Sequence, residues 1–208
     1  MENKKEKNTE NKPVENQETG TAMENQPQNP VEEEPKSYCL FTEDTDGLDE
    51  DEYRECCDIE PDEEIDESSY WDWVSDCIRS YWEDFKCECN KHLMDRPVLV
   101  TGYSGLWDGT HEIVPTVVRD TDKDCALLHV IDMCQVRGQS ETEVLLEPDG
   151  TVSVNVTHHD GSNHKTVRLL TPEGARIAED IAEYGEESEY KPDQITFEPF
   201  TLKHFGQE

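Results

Sequence analysis

Between residues 69 and 93 the apolar side chains recur at helical spacing. Tyr70, Trp73, Cys77 and Tyr81 form one set, and Trp71, Val74, Ile78, Trp82 and Phe85 form a second beside it. Asp72, Ser75, Asp76, Arg79, Ser80, Glu83 and Asp84 fill the remaining arc. The period predicts an amphipathic helix with a wide aromatic stripe, and Ser68 or Ser69 is placed to cap its start. Such a stripe either packs on the protein's own sheet or docks in a partner's groove.

From Pro97 the pattern changes. Residues 98–103 and 113–118 read as strands around the loop Ser104-Gly-Leu-Trp-Asp-Gly109. Residues 122–135 read as a short helix with Leu127, Leu128, Ile131 and Cys134 on one side. Residues 142–147 and 151–157 are strands joined by Pro148-Asp-Gly150, a turn signal. A second tight connection at Asp160-Gly-Ser-Asn163 leads into a strand over 165–170, which completes a three-strand meander. Thr171-Pro172 is a capping residue followed by proline at the first helical position. It opens a helix with Ile177, Ile181 and Tyr184 on its apolar side, stopped by Gly185. Residues 69–185 therefore predict an α+β domain: a small antiparallel sheet of about five strands packed with two or three helices.

The flanking segments read differently. Residues 1–37 are rich in Glu, Asn, Lys, Gln and Pro and hold too little apolar surface to offset ordering entropy, so a disordered polar tail is expected. Residues 38–68 read as an acidic arm or linker. Leu40, Phe41, Leu48, Tyr53, Ile59 and Ile65 are scattered through it, a texture shared with segments that fold onto a partner. Residues 186–208 read as an acidic tail with one apolar patch at Ile195, Phe197 and Phe200.

Charge sharpens this division. The chain of 208 residues carries a formal net charge of -33, and residues 38–68 hold fifteen acids against one base, Arg54. Charge of that density stays solvated or meets a basic partner. The candidate contacts are Asp44, Asp46, Asp49, Glu50, Asp51, Glu52, Asp62, Glu63 and Glu64. The same charge opposes direct binding to nucleic acid or to anionic membranes, both polyanions. No run approaches the length of a membrane helix, and residues 1–12 lack the apolar core of an export signal. A cytoplasmic location is expected, with the eight cysteines as reduced thiols.

Four motifs carry possible chemistry. Val98-Leu-Val-Thr-Gly-Tyr-Ser-Gly105 has the outline of a dinucleotide-binding turn. However, two residues separate its glycines instead of one, and Asp108 stands where the third glycine belongs, so a glycine-rich hairpin is the better reading. Asp44-Thr-Asp-Gly47 suggests a calcium loop, but its first and twelfth ligands would be Thr42 and Tyr53, which lack carboxylates. Cys87, Cys89 and His92 could hold zinc with Cys56 or Cys57; the competing reading is buried reduced thiols. The sharpest cluster is His158-His-Asp-Gly-Ser-Asn-His164. With Asp160–Asn163 as the turn, His159 and His164 face each other across a hairpin. With Asp160, and with His111 from a neighbouring strand, they could converge on a divalent metal, whereas His158 points the other way. The competing reading is a polar hairpin end.

Val98-Leu-Val-Thr-Gly102 with Gly105-Leu-Trp-Asp-Gly-Thr-His111, followed by His158-His-Asp-Gly-Ser-Asn163, resembles small proteins of phages and mobile elements in Gram-positive bacteria. The resemblance spans roughly residues 97–170. It brings no activity, marks Trp107, Asp108, Gly109, His111, His158 and Asn163 as positions of interest, and implies an accessory role in a bacterial host cell. Two functions are therefore expected to compete, beside a small structural protein whose charge serves solubility alone. One is a non-enzymatic interaction protein whose acid engages a basic host-protein surface built for phosphates. The other is a metal-binding module or metal-dependent enzyme built on the histidine turn.

Overall fold

The computed structural model describes residues 36–43, 45, 48–106, 109–135, 140–159 and 161–207. Among them lie strands β1 (Tyr38–Thr42), β2 (Val98–Leu106), β3 (Gly109–Val118), β4 (Ser140–Leu146), β5 (Val152–His158), β6 (Gly161–Leu170) and β7 (Phe197–Glu198). The α-helices are α1 (Glu50–Cys56), α2 (Glu67–Leu93), α3 (Ala126–Cys134) and α4 (Pro172–Tyr184). The fold is α+β as expected, but among the described residues it has seven strands rather than about five and four α-helices rather than two or three.

The sheet order is β1-β4-β5-β6-β2-β3, antiparallel throughout, with β7 pairing at the end of β6. The meander β4-β5-β6 follows from the turn chemistry. The Asp149 carboxylate accepts from the Thr151 amide at 3.0 Å and hydroxyl at 2.7 Å, which holds its carboxyl below the usual range, and Gly150 takes a left-handed φ of 79°. The extra edge strand β1 comes from the segment that composition marks as an arm. A bulge at Leu40 in β1 lets Leu40 and Phe41, adjacent in sequence, both be buried. The C-terminal segment, expected as a tail, supplies β7 and buries Phe200 and Phe205.

The two faces of the sheet differ. Val98, Val100, Val144, Val152, Val154, Val156, Val167 and Leu169 line one face and form a single core with α2 and α3. Helix α3 is apolar on nearly all sides, so only Asp132 and Met133 remain exposed. Its first amides are satisfied from a distance: Asn90 Oδ1 accepts from Cys125 N and Asp120 Oδ1 from Ala126 N, each at 2.8 Å. The second face is covered at one end only. There Leu170 packs with Ala175, Ile177 and Ala178 of α4, buried apart from the main core. Thr171 caps α4 by accepting from Gly174 N at 2.9 Å.

Strands β2 and β3 extend beyond the sequence expectation and meet at Leu106 and Gly109, which confirms the glycine-rich hairpin reading. Pro115 sits at the bulge in the edge strand β3, a position that needs no ladder donor. Gly102 is essential to this pairing. Its φ is +137°, and a Cβ placed there would lie 2.1 Å from the His164 carbonyl oxygen. Gly102→Ala is expected to lose more than about 2 kcal/mol of stability in urea denaturation. Gly105→Ala, with its nearest neighbour at 3.5 Å, is expected to stay within about 0.5 kcal/mol.

Candidate functional site

The acid-rich segment is built onto α1 and the start of α2. Asp49, the residue before α1, accepts from Glu52 N at 2.9 Å, and Glu50, Asp51 and Glu52 occupy the first turn. Asp66, rather than Ser68 or Ser69, caps α2: its carboxylate accepts from the Ser69 amide at 2.9 Å and hydroxyl at 2.7 Å. Those two hydrogen bonds hold the Asp66 carboxyl below its ordinary value. Much of the charge therefore sits at two helix N-termini, where exposed amides and the helix dipole favour it.

An aromatic contact fixes α1 to α2. Tyr53 is buried, with its ring 5.5 Å from Tyr70 and 5.3 Å from Trp73, and the Tyr70 hydroxyl donates to the Leu48 carbonyl at 2.6 Å. Beyond α1 the chain doubles back. Arg54 donates to the Glu60 carbonyl at 2.9 Å, Asp58 adopts a φ of 54°, and an open groove of about 540 Å³ forms among Asp51, Glu55, Asp58 and Glu60. From residue 49 to 76 there are fourteen acids, all exposed, and one base. Among the described residues the ion pair made by this stretch joins Asp76 to Arg79. Trp71 is 51% exposed at its edge. Of the candidate contact residues, Asp49, Glu50, Asp51, Glu52, Asp62, Glu63 and Glu64 belong to this ledge; Asp44 and Asp46 lie outside the described residues.

The candidate zinc residues do not converge. Cys87 is exposed and Cys89 fully buried, because helical positions two apart lie about 200° around the axis. Burial first, then the neighbouring Cys125, holds the Cys89 thiol far above its ordinary value. His92 turns to Glu88, with Nε2 and Oε2 3.3 Å apart.

The histidine turn is shorter than expected. His158 pairs with Gly161, so the connection is residues 159–160 and Asn163 lies within β6. Asp160, Trp107 and Asp108 lie outside the described residues. The register sets Asn155, rather than His159, opposite His164. Asn163 donates to the Cys134 carbonyl at 3.3 Å and lies 3.5 Å from His158 Nε2, on the helix-covered face. Strand alternation puts His111, opposite Ser104 and in the row of Asn163, on that same face and His164 on the other. The expected meeting of His111 with His164 is thereby corrected. Among the described residues no group of three or more His, Cys, Asp and Glu is placed to hold a metal ion.

What the register does assemble was not legible beforehand. Thr42, Glu143, Asn155, His164, Tyr103 and Glu112 form one row across six adjacent strands. Asn155 Nδ2 donates to Glu143 at 2.9 Å, Asn155 Oδ1 lies 2.6 Å from His164 Nδ1, and the His164 and Tyr103 rings are 5.2 Å apart. The signal that could have found it is the shared parity of Asn155 and His164, which becomes informative only once the turn length is known.

No family model matches the chain, and neither a curated protein nor a solved structure matches it significantly.

Asp66 supplies the pH test of the ledge. A carboxyl held low in the folded chain adds stability above its unfolded pKa, and that stability is lost as pH falls through the folded value. Thermal melts followed by circular dichroism are expected to show Asp66→Ala melting below wild type at pH 7. The gap should narrow as pH is lowered through the carboxylate range.

Proposed function

We propose that the chain is a non-enzymatic acidic interaction protein that engages a basic protein surface through the α1–α2 ledge. The observation that carries this reading is the ledge itself: fourteen exposed acids with one base, attached to two packed helices beside exposed Trp71. Carboxylates held on a scaffold give up less freedom on binding than those on a loose arm. They attract Lys- and Arg-rich surfaces, steer encounter and are screened by salt. A surface that holds nucleic-acid phosphates on a host protein has the complementary chemistry, and Trp71 adds an apolar anchor of the kind enriched at interfaces. A host-protein partner also agrees with the resemblance to phage and mobile-element proteins.

The test is a binding titration against a basic nucleic-acid-binding protein of the host, at low and high salt. Neutralising Glu50, Asp51, Glu52, Asp62, Glu63 and Glu64 to their amides is expected to weaken binding by roughly tenfold or more and to flatten its salt dependence. Neutralising Glu186, Glu187 and Glu189, which lie beyond α4, is expected to change it little. Equal loss in both variants, or binding insensitive to salt, refutes the assignment to the ledge.

A further inference from the structure

The second face of the sheet, beyond the end that α4 covers, carries polar groups arranged in one direction. A carboxylate can only accept, so the Asn155 amide must turn its NH2 to Glu143, at 2.9 Å. Its Oδ1 then faces His164 Nδ1 at 2.6 Å, and because Oδ1 can only accept, Nδ1 carries the proton. Tyr103, directly opposite His164 in register, sets its ring 5.2 Å away, tilted by 30°, and contacts the imidazole from a second side. Nε2 of His164 has no hydrogen-bond partner among the described residues. In its neutral form the imidazole is thereby held in the Nδ1–H tautomer and in one orientation, with the Nε2 lone pair directed away from Asn155. Histidines that accept protons or bind ligands are commonly held this way, by a partner on the far nitrogen.

We propose that Glu143 and Asn155 are positioning residues for a binding site in which His164 Nε2 accepts a hydrogen bond from an uncharged, hydroxyl-bearing ligand lying against Tyr103. The surroundings set the ligand class. Tyr103 is 45% exposed and offers a ring face. Ser162 and Thr166 flank His164 on the same strand and face and add hydroxyls. Glu143 and Glu112 stand in the same row as His164, and with the net charge of -33 they repel anions. Lys165 points to the opposite face. This site is separate from the α1–α2 ledge and stands or falls without it.

The tautomer is read from the ring nitrogen shifts of the 15N-labelled protein at neutral pH, with Nδ1–H expected at His164. The reactivity of Nε2 is read with diethyl pyrocarbonate. The Nε2 lone pair attacks one carbonyl carbon, the bond to the bridging oxygen breaks, and ethyl carbonate leaves and decomposes to carbon dioxide and ethanol. The ring proton passes to water. Peptide mass spectrometry locates the adduct. Asn155→Leu is expected to release the tautomer and slow carbethoxylation at His164 by roughly tenfold, leaving the other histidines unchanged. Glu143→Gln, a milder change that lets the Asn155 amide flip, is expected to give a mixed tautomer with an intact amide spectrum. Glucose is expected to shift the His164 and Tyr103 signals, and gluconate, its anionic counterpart, is not. An Nε2–H tautomer in the wild type, or one unmoved in both variants, overturns the relay. Equal response to both sugars, or to neither, overturns the ligand assignment.

Discussion

Phe85 sits between Phe41 of the edge strand, at 5.7 Å, Trp82 one turn before it and Phe205 near the C-terminus, stacked at 6.1 Å. This aromatic seam ties together three parts of the chain that are remote in sequence. It anchors α2 on the sheet, holds β1 against β4 and draws the last residues back over the core. Burying one such ring is worth about 1.5–3 kcal/mol, whereas a like-charge pair one turn apart costs a few tenths of a kcal/mol. A few buried rings at the far end of α2 therefore outweigh much repulsion among the acids at its start. The ledge can be highly charged because its scaffold is held elsewhere.

The placement of the charge reduces that cost further. Asp49 and Asp66 accept hydrogen bonds from helix amides that would otherwise lack partners, and Glu50, Asp51, Glu52 and Glu67 lie in first turns. A residue count treats these carboxylates as repelling one another; the helix termini give part of them a structural role. The acid that remains available to a partner is chiefly that on the outer side of α1 and in the connection at Asp62, Glu63 and Glu64.

How much could be read from the sequence depended on how local each determinant is. Helix α2, helix α4 with its Thr171-Pro172 start, and the turn at Asp149 are set by neighbours in sequence and were legible. Strand β1 was not, because its five residues are framed by acid and its inward side depends on a bulge opposite Val144 and Leu145. The C-terminal segment is hidden for the same reason: Phe205 finds its place against Phe85 of α2, more than a hundred residues earlier in the chain, and Phe200 packs beside Phe205. Composition gives residues 38–68 their charge but not their fold, since it does not reveal that Tyr53 meets Tyr70 and Trp73.

The histidine turn shows how one structural variable decides the chemistry. A four-residue connection over 160–163 would set His159 against His164. A two-residue connection sets Asn155 there, and every pair along β5 and β6 follows. Strand alternation then separates what the sequence groups. His158 and Asn163 go to the helix-covered face and His164 to the open one, so three histidines within seven residues do not form a cluster. In exchange, His164 meets an amide oxygen that accepts a hydrogen bond from Nδ1, on a side chain itself fixed by Glu143. An acceptor on Nδ1 and an aromatic ring on one side define a direction for the remaining nitrogen. A directed nitrogen on an uncovered sheet face is a more specific arrangement than a solvated polar hairpin end.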